Sequence, residues 1–139
     1  MVPPRKFAPP VRKAAFEFMS LILVVEDDEA NQELVIRFLK RDGHRVLLAM
    51  DGSSGVRAAL EHTPDLILMD LGLPGMDGWE AAQLIKSSSR TSHIPIIALT
   101  AHAISEDVER AKAAGCDAYE TKPVVYQRLM KKIETLVKH

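Results

Sequence analysis

The chain has 139 residues, of which 47% are hydrophobic and 27% charged, and its formal net charge is −1. This length suits one compact domain rather than two, and the composition is ordinary for a globular protein. Because the chain contains no block of like charges, the sequence disfavours a nucleic-acid-binding domain, which normally presents a basic face.

Residues 1–19 differ in composition from the rest of the chain. The first eighteen hold four prolines and four basic residues against a single acid, and they lack the continuous apolar core of a secretory signal. We therefore expect a flexible N-terminal arm or an added extension at 1–19, followed by one domain at 20–139. The lone cysteine, Cys116, excludes an internal disulfide and is consistent with a reducing cytoplasm.

Five short apolar runs recur at fairly even spacing after the arm. They are LILVV (21–25), RVLLA (45–49), DLILM (65–69), IPIIAL (94–99) and the weaker DAYET (117–121). Such runs are typical of strands buried on both faces, as in a parallel sheet. The longest of them is too short to cross a bilayer.

The stretches between the runs have the apolar spacing of helices. The predicted helices cover 29–41, 53–61, a segment starting at Asp77, a segment ending at Gly115, and 124–137. Gly43 can terminate the first helix, Ser53 or Ser54 can cap the second, and Asp77 can cap the third. In the last helix the predicted apolar stripe consists of Val125, Leu129, Ile133 and Leu136. The alternation predicts βαβ units in a doubly wound α/β sandwich.

Acidic residues follow two of the predicted strands. Glu26 and Asp27 follow the first strand, and Asp70 follows the third. In open parallel sheets, ligands bind at the carboxyl ends of the strands, and a strand order of 2-1-3-4-5 would make these two strands neighbours. Like carboxylates a few ångströms apart repel by roughly 1 to 4 kcal/mol per pair, so we expect a compensating positive charge. Mg²⁺ suits such oxygen ligands, and Lys122 supplies one further charge.

This set of residues suits phosphoryl chemistry. A carboxylate beside Mg²⁺ and a lysine can attack phosphorus and form an acyl phosphate. The metal and the ammonium group would neutralise charge on the transferring oxygens, and the Thr100 hydroxyl could donate a hydrogen bond to one of them. Asp28, by contrast, is interpreted as an acid favouring the start of the following helix.

Four motifs, in order and with matching spacing, closely resemble the receiver (CheY-like) domain of two-component response regulators. The motifs are ILVVEDDEAN, LILMDLGLPGMDG, IIALTAHA and AYETKPV, and the resemblance covers about 20–137. It implies a flavodoxin-like (βα)5 three-layer sandwich with a five-stranded parallel sheet of order 2-1-3-4-5. It also implies a cytoplasmic signalling switch controlled by phosphorylation, rather than a turnover enzyme.

The resemblance assigns roles to the acidic residues. Asp70 would be the phosphoacceptor, taking its phosphoryl group from a sensor histidine kinase or a histidine phosphotransfer protein. Mg²⁺, with Mn²⁺ as a possible substitute, would be bound by Asp27 and Asp70, by Glu26 directly or through water, and by the backbone carbonyl of Gly72.

Further roles follow from the same resemblance. Thr100 and Lys122 would contact the phosphoryl group, and the Lys122–Pro123 peptide bond would be cis. Thr100 and Tyr119 would form the switch, which alters how the surface of the fourth helix, fifth strand and fifth helix binds a downstream protein. No direct contact with nucleic acid or membrane is expected.

Alternative functions are weaker. An aspartyl-nucleophile phosphatase of the haloacid-dehalogenase type needs a second aspartate two residues after the first, where this chain has Gly72. A nucleotide-binding protein would need a GxxxxGK[ST] or GxGxxG loop, and neither occurs. A receiver fold used purely for interaction is disfavoured by the intact acidic, threonine and lysine set.

Two questions stay open. The chain is either a stand-alone regulator or the receiver of a hybrid kinase. The lifetime of the phosphoryl group is also open, because the positions of Gly72 and His102 tune it in this family.

Overall fold

Strands and helices alternate along the chain in the computed structural model, which describes residues 20–73, 75–101 and 105–137. The strands are β1 (Leu21–Val25), β2 (Arg45–Ala49), β3 (Leu66–Asp70), β4 (Ile96–Thr100) and β5 (Ala118–Thr121). The helices are α1 (Glu29–Arg41), α2 (Gly52–His62), α3 (Gly78–Ser87), α4 (Ser105–Ala113) and α5 (Tyr126–Leu136). The arm predicted at 1–19 lies outside the described residues and stays a prediction.

The five strands form one parallel sheet in the order β2-β1-β3-β4-β5. This confirms the predicted strand order. In the register of the sheet, Val25 of β1 lies opposite Met69 of β3, so the two strands end side by side. Asp70 lies opposite Leu99, one residue before the end of β4. The carboxyl ends of β1, β3 and β4 therefore meet at one edge of the sheet.

Helices cover both faces of the sheet, as expected for a doubly wound sandwich. On one face, α1 and α5 pack against alternate residues of β1, β3 and β4, and the buried side chains are Ile22, Val24, Val35, Leu39, Leu66, Leu68, Ile97, Leu99, Val124, Leu129 and Ile133. On the other face, α2 and α3 bury Ala59, Ala81, Ala82 and Ile85 against the remaining strand residues. The strands of the sheet's centre are buried on both faces, which explains their unbroken apolar runs.

Aspartates cap three of the helices. The side chains of Asp28 and Asp77 accept hydrogen bonds from the backbone N–H groups of Asn31 and Glu80, at 2.9 and 2.8 Å. The prediction that Ser53 or Ser54 caps α2 is wrong, because Asp51 is the cap and accepts from the Ser54 N–H at 2.8 Å. The helix begins one residue earlier than expected since this carboxylate satisfies an amide of the first turn.

Two predicted positions are more exposed than an apolar pattern suggests. Leu48 is 43% exposed because β2 lies at the edge of the sheet. Val125, predicted to lie in the buried stripe of the last helix, is 42% exposed because it is the N-cap residue preceding α5. Leu129 and Ile133 carry the buried stripe instead.

Three strands, β3, β4 and β5, begin one or two residues later than their apolar runs, and aspartates account for two of these differences. Asp65 and Asp117 precede β3 and β5, and their carboxylates accept hydrogen bonds from the backbone N–H groups of Leu21 and Ile96, both at 2.8 Å. The side chains therefore bind the start of a neighbouring strand and lie outside the strands to which they were assigned.

Candidate functional site

The ends of four strands place the predicted site residues around one cleft. Glu26 directly follows β1, Asp70 is the last residue of β3, Thr100 is the last residue of β4, and Lys122 directly follows β5. The cleft has a volume of about 520 Å³, and all four residues line it. The fold thus brings together side chains that are up to 96 positions apart in the sequence.

Lys122 bridges two buried carboxylates. Its Nζ lies 3.1 Å from Glu26 Oε1 and 3.0 Å from Asp70 Oδ1. The side chains of Glu26 and Asp70 are 1% and 6% exposed, so water screens these contacts little. Burial disfavours the charged form of the lysine, but the hydrogen bonds and charges of the two carboxylates outweigh it and raise the pKa of Lys122. The ammonium group is therefore retained at neutral pH.

Backbone groups orient Glu26. Its Oε2 accepts from the Asp28 N–H at 3.1 Å, and its carbonyl accepts from the Gln32 side chain at 2.7 Å. Its Oε1 is buried and lies 3.1 Å from Lys122 Nζ. Burial, with a further contribution from the charge of Asp70, raises the pKa of Glu26, while the Asp28 N–H and Lys122 oppose the shift.

A divalent cation fits the carboxylate cluster. Glu26, Asp27 and Asp70 each offer an oxygen, and these oxygens all lie within 4.8 Å of one another. Three carboxylates against one ammonium group leave an excess of negative charge, and the incompletely satisfied Oε1 of Glu26 is available as a ligand. Asp27 is exposed, so the cluster is open to solvent on one side. Mg²⁺ keeps several waters and binds one or two carboxylates, which suits such an open cluster of hard oxygen ligands.

The loop after β3 holds the carboxylate of Asp70. The Gly72 N–H donates to Asp70 Oδ1 at 3.0 Å, and Gly72 itself is exposed. Gly78, the first residue of α3, packs against the backbone of Asp70 and Leu71. An added Cβ at Gly78 would lie 2.3 Å from the carbonyl oxygen of Asp70. Only a residue without a side chain allows α3 to approach this closely, so the helix fixes the end of β3.

Thr100 and Tyr119 lie on the same face of the sheet. Thr100 is 7% exposed, and Tyr119 is 39% exposed. Tyr119 pairs with Ala98, two residues before Thr100, and alternate residues of a strand share a face. The Lys122–Pro123 peptide bond is cis in the structure. His102 lies outside the described residues.

Side chains from three helices, which the sequence did not single out, also line the cleft. Asn31 extends from α1, Trp79 from α3 and Asp107 from α4. Asn31 and Trp79 lie within the first turns of helices that follow the acidic strand ends, and this spacing is the signal that could have identified them. Asp107 lies seven residues beyond Thr100, and only the packing of α4 reveals its position.

Comparisons with known proteins identify the family. A model of the response regulator receiver domain matches residues 22–134. The chain belongs to the response-regulator receiver family. The receiver fold and the doubly wound topology predicted from the motifs are thus confirmed, and the chain is a receiver domain of two-component signalling.

Individual relatives agree with this assignment. The chain is 37% identical over 114 residues to the polar-differentiation response regulator DivK of Brucella anthropi, which covers 82% of this chain and 93% of the relative. The receiver domain of the sensor histidine kinase PA1611 of Pseudomonas aeruginosa PAO1 is 36% identical, with a TM-score of 0.82 over 87% of this chain and 99% of that one. That crystal structure has a magnesium ion coordinated in the active-site cleft. The chemotaxis response regulator CheY4 of Vibrio cholerae is 27% identical, with a TM-score of 0.80 over 85% and 98% of the two chains.

Within the described residues, no helix has the length and apolar character needed to cross a membrane.

Proposed function

We propose that this receiver domain is a signalling switch that accepts a phosphoryl group on Asp70. The observation that supports the proposal most directly is the buried carboxylate of Asp70 in contact with Lys122 at 3.0 Å, beside two further acids in one cleft. The chemistry is limited to the chain's own phosphorylation and dephosphorylation, so it acts as a switch and not as a turnover enzyme.

The chain's own groups prepare Asp70 as the nucleophile. Its Oδ1 accepts from the Gly72 N–H and contacts Lys122, which orients the carboxylate and leaves Oδ2 for the attack. Oδ2 forms a bond to the phosphorus of a phosphohistidine, the phosphorus–nitrogen bond breaks, and the electron pair stays on the imidazole nitrogen. Lys122 and the Thr100 hydroxyl then stabilise the negative charge of the transferring oxygens.

The metal is proposed from the same cluster. Glu26, Asp27, Asp70 and the backbone carbonyl of Gly72 would hold Mg²⁺, with Mn²⁺ as a substitute. When bound, the ion supplies positive charge that neutralises the phosphoryl oxygens in the transition state. A magnesium ion in the cleft of the PA1611 receiver supports this part of the proposal.

The donor is proposed to be a sensor histidine kinase or a histidine phosphotransfer protein. Ala101, which follows Thr100, is exposed at the rim of the cleft. Its small side chain leaves room for an incoming phosphohistidine. The cytoplasmic location expected for such a switch is part of the same proposal.

The downstream partner is proposed to bind at a groove between α4 and α5. The groove has a volume of about 490 Å³ and runs along the edge strand β5, where Tyr119 lines it together with Val108 and Ala111. Thr100 and Tyr119 form the proposed switch, because they lie on one face of the sheet between the cleft and this groove. Phosphorylation of Asp70 would draw Thr100 toward the phosphoryl group and change the space available to Tyr119.

The test is direct phosphorylation. We expect the wild-type chain, incubated with Mg²⁺ and a small acyl phosphate, to gain one phosphoryl group by mass spectrometry. Asp70→Asn should gain none, whereas Asp77→Asn should behave as the wild type because asparagine caps a helix as well as aspartate does. An unmodified wild type, or an Asp70→Asn chain modified to the same extent, would show that the acceptor is assigned wrongly.

A further inference from the structure

Trp79 forms part of the wall of the cleft. It is the single tryptophan of the chain, and it follows Gly78 in the first turn of α3. Its ring packs against a small buried cluster of Leu71, Ala98 and Ala111, which connects the loop after β3 to β4 and α4. The indole therefore lies between the phosphoacceptor cleft and the underside of α4.

The indole is held by contacts other than hydrogen bonds. Its Nε1 is buried and has no hydrogen-bond partner among the residues that the structure describes. The Arg110 guanidinium lies over the ring, with its Cζ 3.6 Å from the ring centroid, which is a close cation–π contact. The position of the ring thus depends on packing and on this one cation.

Helix α4 is weakly anchored near Trp79. Between Asp107 and Ala113, the single buried side chain is that of Ala111. A methyl group buries little apolar area, so it contributes little to holding the helix. The stack of Arg110 on Trp79 is consequently a substantial part of the connection between α4 and α3.

We propose that Arg110 is a positioning residue for the phosphoacceptor cleft, holding the Trp79 ring in place so that the ring limits the access of water to phosphorylated Asp70. The inference rests on the proposed function, since it concerns the lifetime of the acyl phosphate on Asp70. Gly72 has no side chain with which to shield the phosphoryl group, whereas the half-buried indole of Trp79 lines the cleft.

The step affected is hydrolysis of the acyl phosphate. A water oxygen attacks phosphorus, the bond between phosphorus and the Asp70 oxygen breaks, and the electron pair returns to the carboxylate. The water loses a proton to solvent, and inorganic phosphate leaves. When the ring moves away from the wall, more water reaches the phosphorus atom and hydrolysis accelerates.

The expected effect follows from the strength of the stack. An exposed cation–π contact contributes enough to change a conformational population by about two- to fivefold. We expect Arg110→Gln to lose its phosphoryl group about two- to fivefold faster than the wild type. Arg110→Lys keeps a cation over the ring and should restore a lifetime close to that of the wild type, and Trp79→Phe should be intermediate because phenylalanine binds cations less strongly.

Two measurements on the full chain test the proposal. The first follows loss of the phosphoryl group by mass spectrometry after the small acyl phosphate donor is removed. The second follows quenching of Trp79 fluorescence by acrylamide without any phosphoryl donor, and it should increase in Arg110→Gln but not in Arg110→Lys. Lys112→Gln is the matched control, because Lys112 lies on the same helix, is exposed and contacts Glu109 at 3.9 Å.

The outcomes separate this proposal from the proposed function. A wild-type chain that cannot be phosphorylated overturns the assignment of Asp70, and the quenching experiment then still tests the position of the ring. A phosphorylated Arg110→Gln chain with the wild-type lifetime overturns the role of Arg110. So does a Lys112→Gln chain that loses its phosphoryl group equally fast, because the effect would then come from the charge of α4 alone.

Discussion

Replacing Asp70 by asparagine should stabilise the protein when no divalent cation is present. The side chain of Asp70 is 6% exposed, and its carboxylate shares the Lys122 ammonium group with the buried carboxylate of Glu26. Asparagine has the same shape, and its oxygen can still accept from the Gly72 N–H. The substitution therefore removes one charge while leaving the Glu26–Lys122 ion pair in place.

The magnitude follows from three contributions. At an effective dielectric constant of about 20, the contact between Asp70 and Lys122 at 3.0 Å contributes about 5.5 kcal/mol of attraction, which the variant loses. At the 4.8 Å limit of separation between the carboxylate oxygens, relief of the repulsion by Glu26 returns about 3.5 kcal/mol. Keeping an ionised carboxylate out of water costs several kcal/mol, and the neutral amide avoids most of that cost. The sum favours Asp70→Asn by about 1–3 kcal/mol.

Urea unfolding with a chelator, and again with excess Mg²⁺, measures both parts of this expectation. With the chelator, Asp70→Asn should be more stable than the wild type, and Mg²⁺ should then stabilise the variant less because one ligand is gone. Asp77→Asn is the control and should match the wild type under both conditions. A variant less stable than the wild type in the chelator, or one with the same gain from Mg²⁺, would contradict the charge balance described for the cleft.

Three further predictions concern single residues. Burial lowers the pKa of His44 below its usual value of about 6.5, and its Nδ1 accepts a hydrogen bond from the Ser20 N–H. Because the unfolded chain binds the proton more readily than the folded chain, the free energy of unfolding should fall as the pH drops below 6.5. His44→Gln should remove that loss in urea unfolding at pH 5 to 7. Burial raises the pKa of Cys116 to about 11 from 9.0, so alkylation at pH 8 should be about 100-fold slower than for an ordinary thiol, and equal rates would refute the burial. In Gly78→Ala the added Cβ would collide with the Asp70 backbone, so the free energy of unfolding measured in urea should fall by about 1–3 kcal/mol. The variant should also accept phosphoryl groups more slowly. Unchanged stability would contradict the close contact.

The centre of the sheet was predictable because its residues are buried on both faces. The β1 run contains apolar residues from Leu21 to Val25, and the structure has a strand over the same residues. The acids that follow two such strands indicated where the candidate site lies, since neighbouring parallel strands end at one edge of the sheet. Glu26, Asp27 and Asp70 meet there, within the distance that a single cation requires.

Other features could not be predicted from local pattern. The cap of α2 was predicted to be a serine, but the residue before the helix is Asp51, whose carboxylate accepts from the Ser54 N–H. The contact between Trp79 and Arg110 joins residues 31 positions apart on two helices, and neither residue belongs to an apolar stripe. Contacts of this kind depend on how helices are placed across a sheet, which spacing within one helix does not specify.

The excess of acids in the cleft affects stability and metal binding in opposite directions. Two of the three carboxylates are shielded from water, and one ammonium group contacts them, so the fold without a cation retains repulsion that lowers its stability. The same repulsion favours a divalent cation, which at 100 times its Kd would add about 2.7 kcal/mol. Asp70→Asn and Mg²⁺ thus stabilise the fold by relieving one repulsion, and their effects should be less than additive. If the acidic cluster does not bind a cation, Asp70→Asn should still raise the free energy of unfolding, but Mg²⁺ should not.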